Sequence, residues 1–423
     1  MTSFLDQVLA LDKNDELAAF KDHFVQNDQL IYLDGNSLGK LPKKSVNLIN
    51  DLVTNQWGQN LIRSWNDHWI DLSQKTAAKI AQLVGAAPDE IFVGDTTSIN
   101  LYKLLFGALT IQKGKQKILT DSLNFPSDLY VLEGLVTQHF KNHSLEKIPT
   151  PDGIITDLKT LESYFDAQTA LLTLSLVTYK SAFLYPMAKV NAIAHQHNSL
   201  VIWDLSHATG AVPIDLNGSN ADMAVGCTYK YLNGGPGAPA FLYVKKALQS
   251  QLSNPIWSWF SHQAPFKFDP NYSAAKGIDK FAISTPSILS LAPIQVGVDI
   301  LLKAGMAAIR EKSILQTELM LTMITHQLYP LGFKIASPFN ADTRGSHISI
   351  AHPEAYRINR AMIAPQNNTK IIIPDFRPPN QIRLGIAPLY TSFMDLYQSI
   401  ERIRHIVMTK EYERFDKVFL QVI

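Results

Sequence analysis

Ala224-Val225-Gly226-Cys227-Thr228-Tyr229-Lys230-Tyr231-Leu232-Asn233-Gly234-Gly235-Pro236-Gly237 is an apolar run that delivers a single lysine into a glycine-rich loop. Short apolar runs closed by Gly, Asp, Ser or Pro read as buried strands. The pattern recurs at Ile91-Phe92-Val93, Lys117 to Thr120, Ala170 to Leu174, Leu200 to Asp204, Met223 to Gly226 and Ala240 to Val244. Segments with helical spacing lie between them, at 100–109, 127–140 and 190–197. This alternation predicts an α/β layer from about residue 60 to 300 with a largely parallel sheet, whose ligands gather at the carboxyl ends of the strands. Lys230 falls just beyond one such end. An exposed lysine is a solvated point charge, but one held in a cleft can lose its proton and condense with an aldehyde. Taken alone, Tyr229-Lys230 reads as an exposed lysine at a turn; the surrounding loop is what favours the cleft.

After about residue 310 the pattern changes. Two helix-like stretches flank Phe333-Lys334-Ile335, His347 to Ile350, Lys370 to Ile373 and Gln381 to Leu384, predicting a smaller α+β domain with an antiparallel sheet. The expected division is an N-terminal segment, 1–55, packing with the small domain through helices at 4–10 and 16–24; a large domain, 56–310; and a small C-terminal domain, 311–423.

Bulk properties narrow the function. Lys and Arg number 38 against 37 Asp and Glu, so no broad basic surface is expected for a nucleic-acid backbone. The start, Met1 to Val8, lacks the basic flank and apolar core of a signal peptide, and no run reaches eighteen uninterrupted apolar residues, so neither export nor a membrane span is expected. A cytoplasmic location follows as the expectation. The single Cys227 excludes an internal disulfide, and twelve histidines form no HExxH pattern, so no metal site is expected.

Three further loops carry chemistry. Val201-Ile202-Trp203-Asp204 ends a buried strand on a carboxylate, which needs a cationic or hydrogen-bonding partner. Asp204 is either a turn-capping aspartate or the partner of a protonated pyridine nitrogen, the group that lets pyridoxal phosphate (PLP) act as an electron sink. At Gly94-Asp95-Thr96-Thr97-Ser98-Ile99-Asn100 a strand gives way to a helix; Thr97 and Ser98 either cap that helix or help hold a phosphate at its amino terminus. In Asn124-Phe125-Pro126-Ser127-Asp128 the Phe125 ring either packs at a turn or stacks on an aromatic cofactor. Lysine, aspartate, anion loop and aromatic loop each supply something different that PLP needs.

At these residues the sequence resembles the kynureninase family of PLP enzymes, which share the aspartate-aminotransferase-like fold. The segments that carry the likeness are Leu33 to Gly39, Leu61 to Asn66, Phe125 to Asp128, Trp203 to Gly210, Gly226 to Gly237, Trp259 to His262 and Ala387 to Tyr390. They run in family order from about residue 30 to 395, and the Gly226–Gly237 block is the most specific. The resemblance implies that Lys230 holds the cofactor covalently and Asp204 holds its ring nitrogen. It also implies cofactor contacts from Thr97, Ser98, Phe125, Pro126, Ser127, Asp128, Ser175, His207, Tyr229, Trp259 and Thr285, with Tyr229 as a catalytic candidate for relaying protons. Arg383 would grip the substrate α-carboxylate, with Asn36, Trp65 and Thr285 as further substrate contacts. The family is expected to cleave L-kynurenine, and possibly its 3-hydroxy form, with water to anthranilate and L-alanine. A homodimer is expected, with Trp259 and Thr285 reaching the neighbour's cofactor. The chain departs from the family at Leu176 and Thr178, where His and Asn are common, and at Gly385-Ile386.

Rival readings are an aminotransferase or cysteine desulfurase of the same fold, or a non-catalytic PLP-binding protein. A desulfurase needs a mobile cysteine, and Cys227 lies too close to Lys230 to swing onto a substrate. The complete Asp204, Lys230 and Arg383 set argues against a binding-only role.

Overall fold

The computed structural model describes residues 3–365 and 369–418. The chain opens on the helix Phe4–Lys13, started by a capping box between Ser3 and Asp6. This helix lies against the C-terminal helix Phe393–Met408, and Asp12 accepts the Phe393 and Met394 amides at 2.8 and 2.9 Å. A carboxylate there satisfies orphan donors and meets the positive end of the helix dipole. The helix expected over 16–24 is instead a 3-10 turn, Ala18–His23. Asp15 Oδ1 takes the Leu17 amide at 3.0 Å, a local bond that competes with a helical start. Strand β1 (Leu30–Tyr32) follows.

The central sheet has seven strands: β2 (Ile91–Val93), β3 (Lys117–Asp121), β4 (Ser144–Ile148), β5 (Thr169–Ser175), β6 (Leu200–Asp204), β7 (Met223–Gly226) and β8 (Phe241–Val244). Their spatial order is β2-β8-β7-β6-β5-β3-β4, and only β8 runs against the others. Helices cover both faces, so β5, β7 and β8 are buried throughout and read as continuous apolar runs. Trp203, fully buried in β6, donates to Asn191 Oδ1 at 2.9 Å and ties the helix Met187–Gln196 to the sheet. The sequence reading omits β4, an edge strand whose Ser144-Leu-Glu-Lys run is partly exposed and lacks an apolar signature.

The C-terminal sheet contains β9 (Lys334–Ile335), β10 (His347–Ala351), β12 (Asp375–Arg377) and β13 (Gln381–Gly385), antiparallel in the order β12-β13-β10-β9. The expected strand at Lys370 to Ile373 forms as β11 (Ile371–Ile373) but stays out of this sheet, pairing in parallel with β1. Pro374, with no N–H to donate, separates β11 from β12. A buried cluster joins Val8, Ile31 and Leu33 to the residues of this sheet, distinct from the clusters on either side of the seven-stranded sheet. Among the described residues no single helix is long and apolar enough to cross a membrane. The apolar helices Ile288–Ala304 and Met306–Leu331 bend by 80° where they meet.

Candidate active site

The parallel strands point their carboxyl ends to one edge, and the sequence-predicted residues collect there. The loop after β2 enters the helix Thr97–Ile111, whose N-cap is Thr96, with Oγ1 accepting the Ile99 amide at 3.3 Å. Thr97 and Ser98 are therefore not the caps; they sit in the first turn, beside amides that the dipole makes attractive to an anion. Ser98 Oγ lies 3.0 Å from Ser127 Oγ, and Ser127 follows Pro126 at the start of a second helix, Pro126–Gln138. Two helix amino termini thus converge on one spot. The first loop is pinned from below: Asp95, at φ 55°, pairs at 2.8 Å with Lys103, a fully buried lysine that also donates to the Phe281 carbonyl at 2.7 Å.

Asp204, at the end of β6, is buried. Its Oδ1 accepts the Ser206 amide and hydroxyl at 2.9 and 2.6 Å, and Ser175 Oγ stands 3.4 Å from Oδ2. Ser175 lies closer, at 2.8 Å, to Asn124 Oδ1, which also takes the Phe125 amide. Asp128 is buried below this group with Oδ2 unpartnered; burial first, then the nearby Asp204 charge, push its carboxyl well above the usual range, against the pull of Lys230.

Lys230 follows β7 by four residues. Its Nζ lies 3.2 Å from His207 Nε2 and 5.9 Å from the ring centroids of both Phe125 and Tyr229. Burial lowers the lysine pKa, with Cys227 and Asp204 opposing, and drives His207 well below the usual imidazole range. Tyr229 is half-buried, its phenol pKa raised by burial. Gly39 packs so tightly on this loop that a Cβ there would collide with the Lys230 carbonyl and Asn233, and its amide donates to the Tyr229 carbonyl at 2.8 Å. The Leu33–Gly39 segment is thereby a wall of the lysine loop.

The small sheet continues this wall, the Gly385 amide donating to the Leu33 carbonyl at 2.7 Å. Arg383, on β13, gives Nε to Asp375 at 2.7 Å, Nη1 to the Tyr179 carbonyl at 2.5 Å and Nη2 to Ser37 Oγ at 3.1 Å. Arg377 also pairs with Asp375, at 2.8 Å. Asn36 is fully buried with neither amide atom partnered, in a space that exists because residue 385 is glycine: a Cβ there would strike Asn36 Oδ1. Asp34 is pushed up to about 6 by burial and then by Asp375, with Ser37 and Arg383 opposing.

Thr97, Ser98, Tyr229 and Thr285 line one cleft of about 1340 Å³. Trp65 packs on Trp69 and Phe260, at centroid distances of 5.7 and 6.3 Å. Trp259, 42% exposed, donates to the Pro265 carbonyl at 2.7 Å. Leu176 is core, and Thr178 Oγ1 is taken up in its own turn by Ser181 and the Phe183 amide. Cys227 is buried, 3.7 Å from the Ser206 carbonyl. Sequence reasoning did not single out Thr96, Asp375, Arg377 or His347. Only Thr96 carried a local signal, a hydroxyl residue just before a helix; the others matter through contacts made across the fold.

The donors and acceptors fit a planar aromatic aldehyde bearing a phosphate. A half-buried lysine stands among aromatic rings, a fixed carboxylate lies beside it, and two helix amino termini carrying the paired Ser98 and Ser127 hydroxyls meet nearby, as an anion would require. The same architecture occurs in the apo cysteine desulfurase of Thermococcus onnurineus (TM-score 0.78, 16% identity, covering 92% of this chain and 98% of that one) and in the desulfurase CsdA of Escherichia coli (TM-score 0.77, 15% identity, 93% and 99%). A C-DES variant with glycine linked to its PLP cofactor superposes with TM-score 0.75 at 16% identity, covering 95% and 99%. The chain shares the fold of these proteins, a helix-flanked, mostly parallel sheet with a smaller antiparallel C-terminal sheet.

Sequence comparison narrows this further. Residues 309–403 match the model of the kynureninase C-terminal domain. The kynureninase of Burkholderia mallei is 37% identical over 412 residues, 96% of each chain, and that of Pseudomonas fluorescens 37% identical over 409 residues, 96% of this chain and 95% of its own. The chain belongs to the kynureninase family.

Proposed function

We propose that this protein hydrolyses the Cβ–Cγ bond of L-kynurenine, giving anthranilate and L-alanine, with PLP as cofactor. The observation that carries the reading is the meeting at Lys230 of a depressed amine, the Asp204 carboxylate and the Phe125 ring, with Arg383 on the adjoining wall. When bound, PLP supplies an aldehyde that condenses with amines and a ring that withdraws electrons from the substrate carbon beside the amine. Thr97, Ser98 and Ser127 would hold its phosphate, Phe125 would lie beside its ring, and Asp204, fixed by Ser206, would keep the ring nitrogen protonated. Lys230 Nζ is the base that holds and returns the proton at the substrate Cα, its pKa lowered from the ordinary lysine range by burial. His207 steadies that amine, and Tyr229 places a protonated phenol where a proton donor is needed. Arg383 orients the α-carboxylate; water adds to the aryl ketone, its oxygen stays on that carbon as the carboxyl group of anthranilate, and Cβ takes up a proton as the Cβ–Cγ bond breaks, becoming the methyl of alanine.

The working unit is a homodimer. Trp57, Leu61, Ile62, Trp257, Phe266 and Phe268 are each more than half exposed, an apolar set that a second copy would cover. Trp259 and Thr285 belong to the same border and would complete the neighbour's site; Trp65 and Thr285 would bound the aryl pocket, the indole disfavouring the 3-hydroxy substrate. The test is to load the protein with PLP, add L-kynurenine and follow anthranilate fluorescence together with alanine. A keto acid in place of anthranilate overturns the activity; elution from a sizing column as one chain overturns the dimer.

A further inference from the structure

His347 opens β10 and is fully buried, yet neither ring nitrogen has a hydrogen-bond partner. Leaving a buried polar group unanswered is costly, so such groups are rare without a reason. The Lys180 carbonyl lies close enough to the ring to oppose the fall in its pKa, but it meets neither nitrogen in hydrogen-bonding geometry and it also accepts the Ser349 hydroxyl. Position supplies the reason. In the β10–β13 ladder His347 pairs with Gly385 and Ser349 with Arg383, so His347 and Arg383 lie diagonally on one face of the sheet. That face looks onto the lysine loop: the His347 and His207 rings are 6.0 Å apart, and His207 touches Lys230. The strand is tied there by Tyr231, whose hydroxyl reaches the Ser346 carbonyl at 3.4 Å, and by Ser346 Oγ, which donates to the Ile386 carbonyl at 2.7 Å.

Burial first, and then the charges of Arg383, Lys230 and Arg377, hold the imidazole well below its usual range, so it is neutral and one nitrogen carries a proton to donate. Arg383 itself is largely engaged by Asp375, Ser37 and the Tyr179 carbonyl, so it offers a ligand little more than its Nη1 side. A substrate carboxylate at Arg383 therefore has room for a second donor, and the unpartnered imidazole is beside it.

Resting on the kynurenine-cleaving reading above, we propose that His347 is a substrate-binding residue that donates a hydrogen bond to the α-carboxylate of the amino acid held by Arg383. His347→Phe keeps a ring of similar size without a donor; His347→Gln restores one. In the PLP-loaded dimer, His347→Phe is expected to raise KM for L-kynurenine, and the Kd for L-alanine followed by the cofactor's absorbance, by roughly ten- to hundredfold, the scale of a hydrogen bond to a charged group. His347→Gln should recover most of that loss. Binding of the decarboxylated amine of kynurenine should be the same for wild type and His347→Phe. Equal KM and Kd for wild type and His347→Phe, or an equal penalty with the decarboxylated amine, overturns the assignment. Should His347→Phe fail to fold, His347→Gln against His347→Leu decides by the same comparison. Wild-type protein that makes no anthranilate defeats the functional reading instead, while alanine and amine binding still judge His347.

Discussion

On the wall built from the parallel sheet, most polar groups answer one another: Ser206 holds Asp204, Asn124 takes Ser175 and the Phe125 amide, and Lys103 anchors the Asp95 loop. On the wall built from β10 and β13, Asn36 and His347 are buried without partners, and Arg383 is held by a protein carboxylate. The first wall is organised before any ligand arrives, as a cofactor that stays through many turnovers requires. The second keeps donors in reserve at a cost of about 1–3 kcal/mol each, a cost that a transient ligand relieves. Asp128 Oδ2 is one of the unpartnered atoms on the first wall, and it marks where the cofactor itself would complete the set.

Breaking the first wall should have the largest effect. Lys230→Ala removes both the covalent anchor and the base, and kcat should fall by roughly a thousandfold or more, as for other positioned acid–base groups. Its visible absorbance with PLP should vanish as well. A surviving band means that another amine holds the cofactor.

The second wall should respond in KM. Arg383→Lys replaces a bidentate fork by a point charge, and kcat/KM is expected to drop roughly a hundredfold, mostly through KM. Asp375→Asn leaves the guanidinium in place but loosens its plane, so a smaller rise in KM, about tenfold, is expected at nearly constant kcat. Steady-state kinetics on both variants orders the two effects; an equal loss in kcat would move Asp375 from orientation to chemistry.

The same contrast explains what the sequence discloses. The strand-end groups are legible because a buried apolar run fixes where its last residue lies, so Asp204, Ser175 and Lys230 announce the edge on which they meet. Arg383 is legible only through family likeness, since nothing in Gln381-Ile-Arg-Leu predicts that β13 faces the lysine loop. His347, Asp375 and Arg377 depend on register between strands far apart in sequence, and β11 shows how weak local pattern is there: three isoleucines predict a strand but not that its partner is β1.

The last expected effect concerns the stability of the first wall and not its turnover. Asp121 ends β3 one turn before the cofactor loop, fully buried, with its carboxyl pushed up to about 6 from 3.8 by burial, against the pull of Tyr185, Thr156 and the Leu123 amide. Because the folded state holds this proton more tightly than the unfolded chain, the stability it confers is complete below pH 3.8 and is lost as pH rises to about 6. The loss is on the order of 3 kcal/mol, since each pKa unit corresponds to about 1.4 kcal/mol. Asp121→Asn keeps an acceptor for the Tyr185 hydroxyl and carries no charge to desolvate. Its unfolding midpoint relative to wild type should therefore rise between pH 4 and pH 7.5 when both are melted as PLP-loaded protein. A constant difference across that range would mean that Asp121 is already ionised in the folded protein, and that this strand end, too, is answered entirely by its hydrogen bonds.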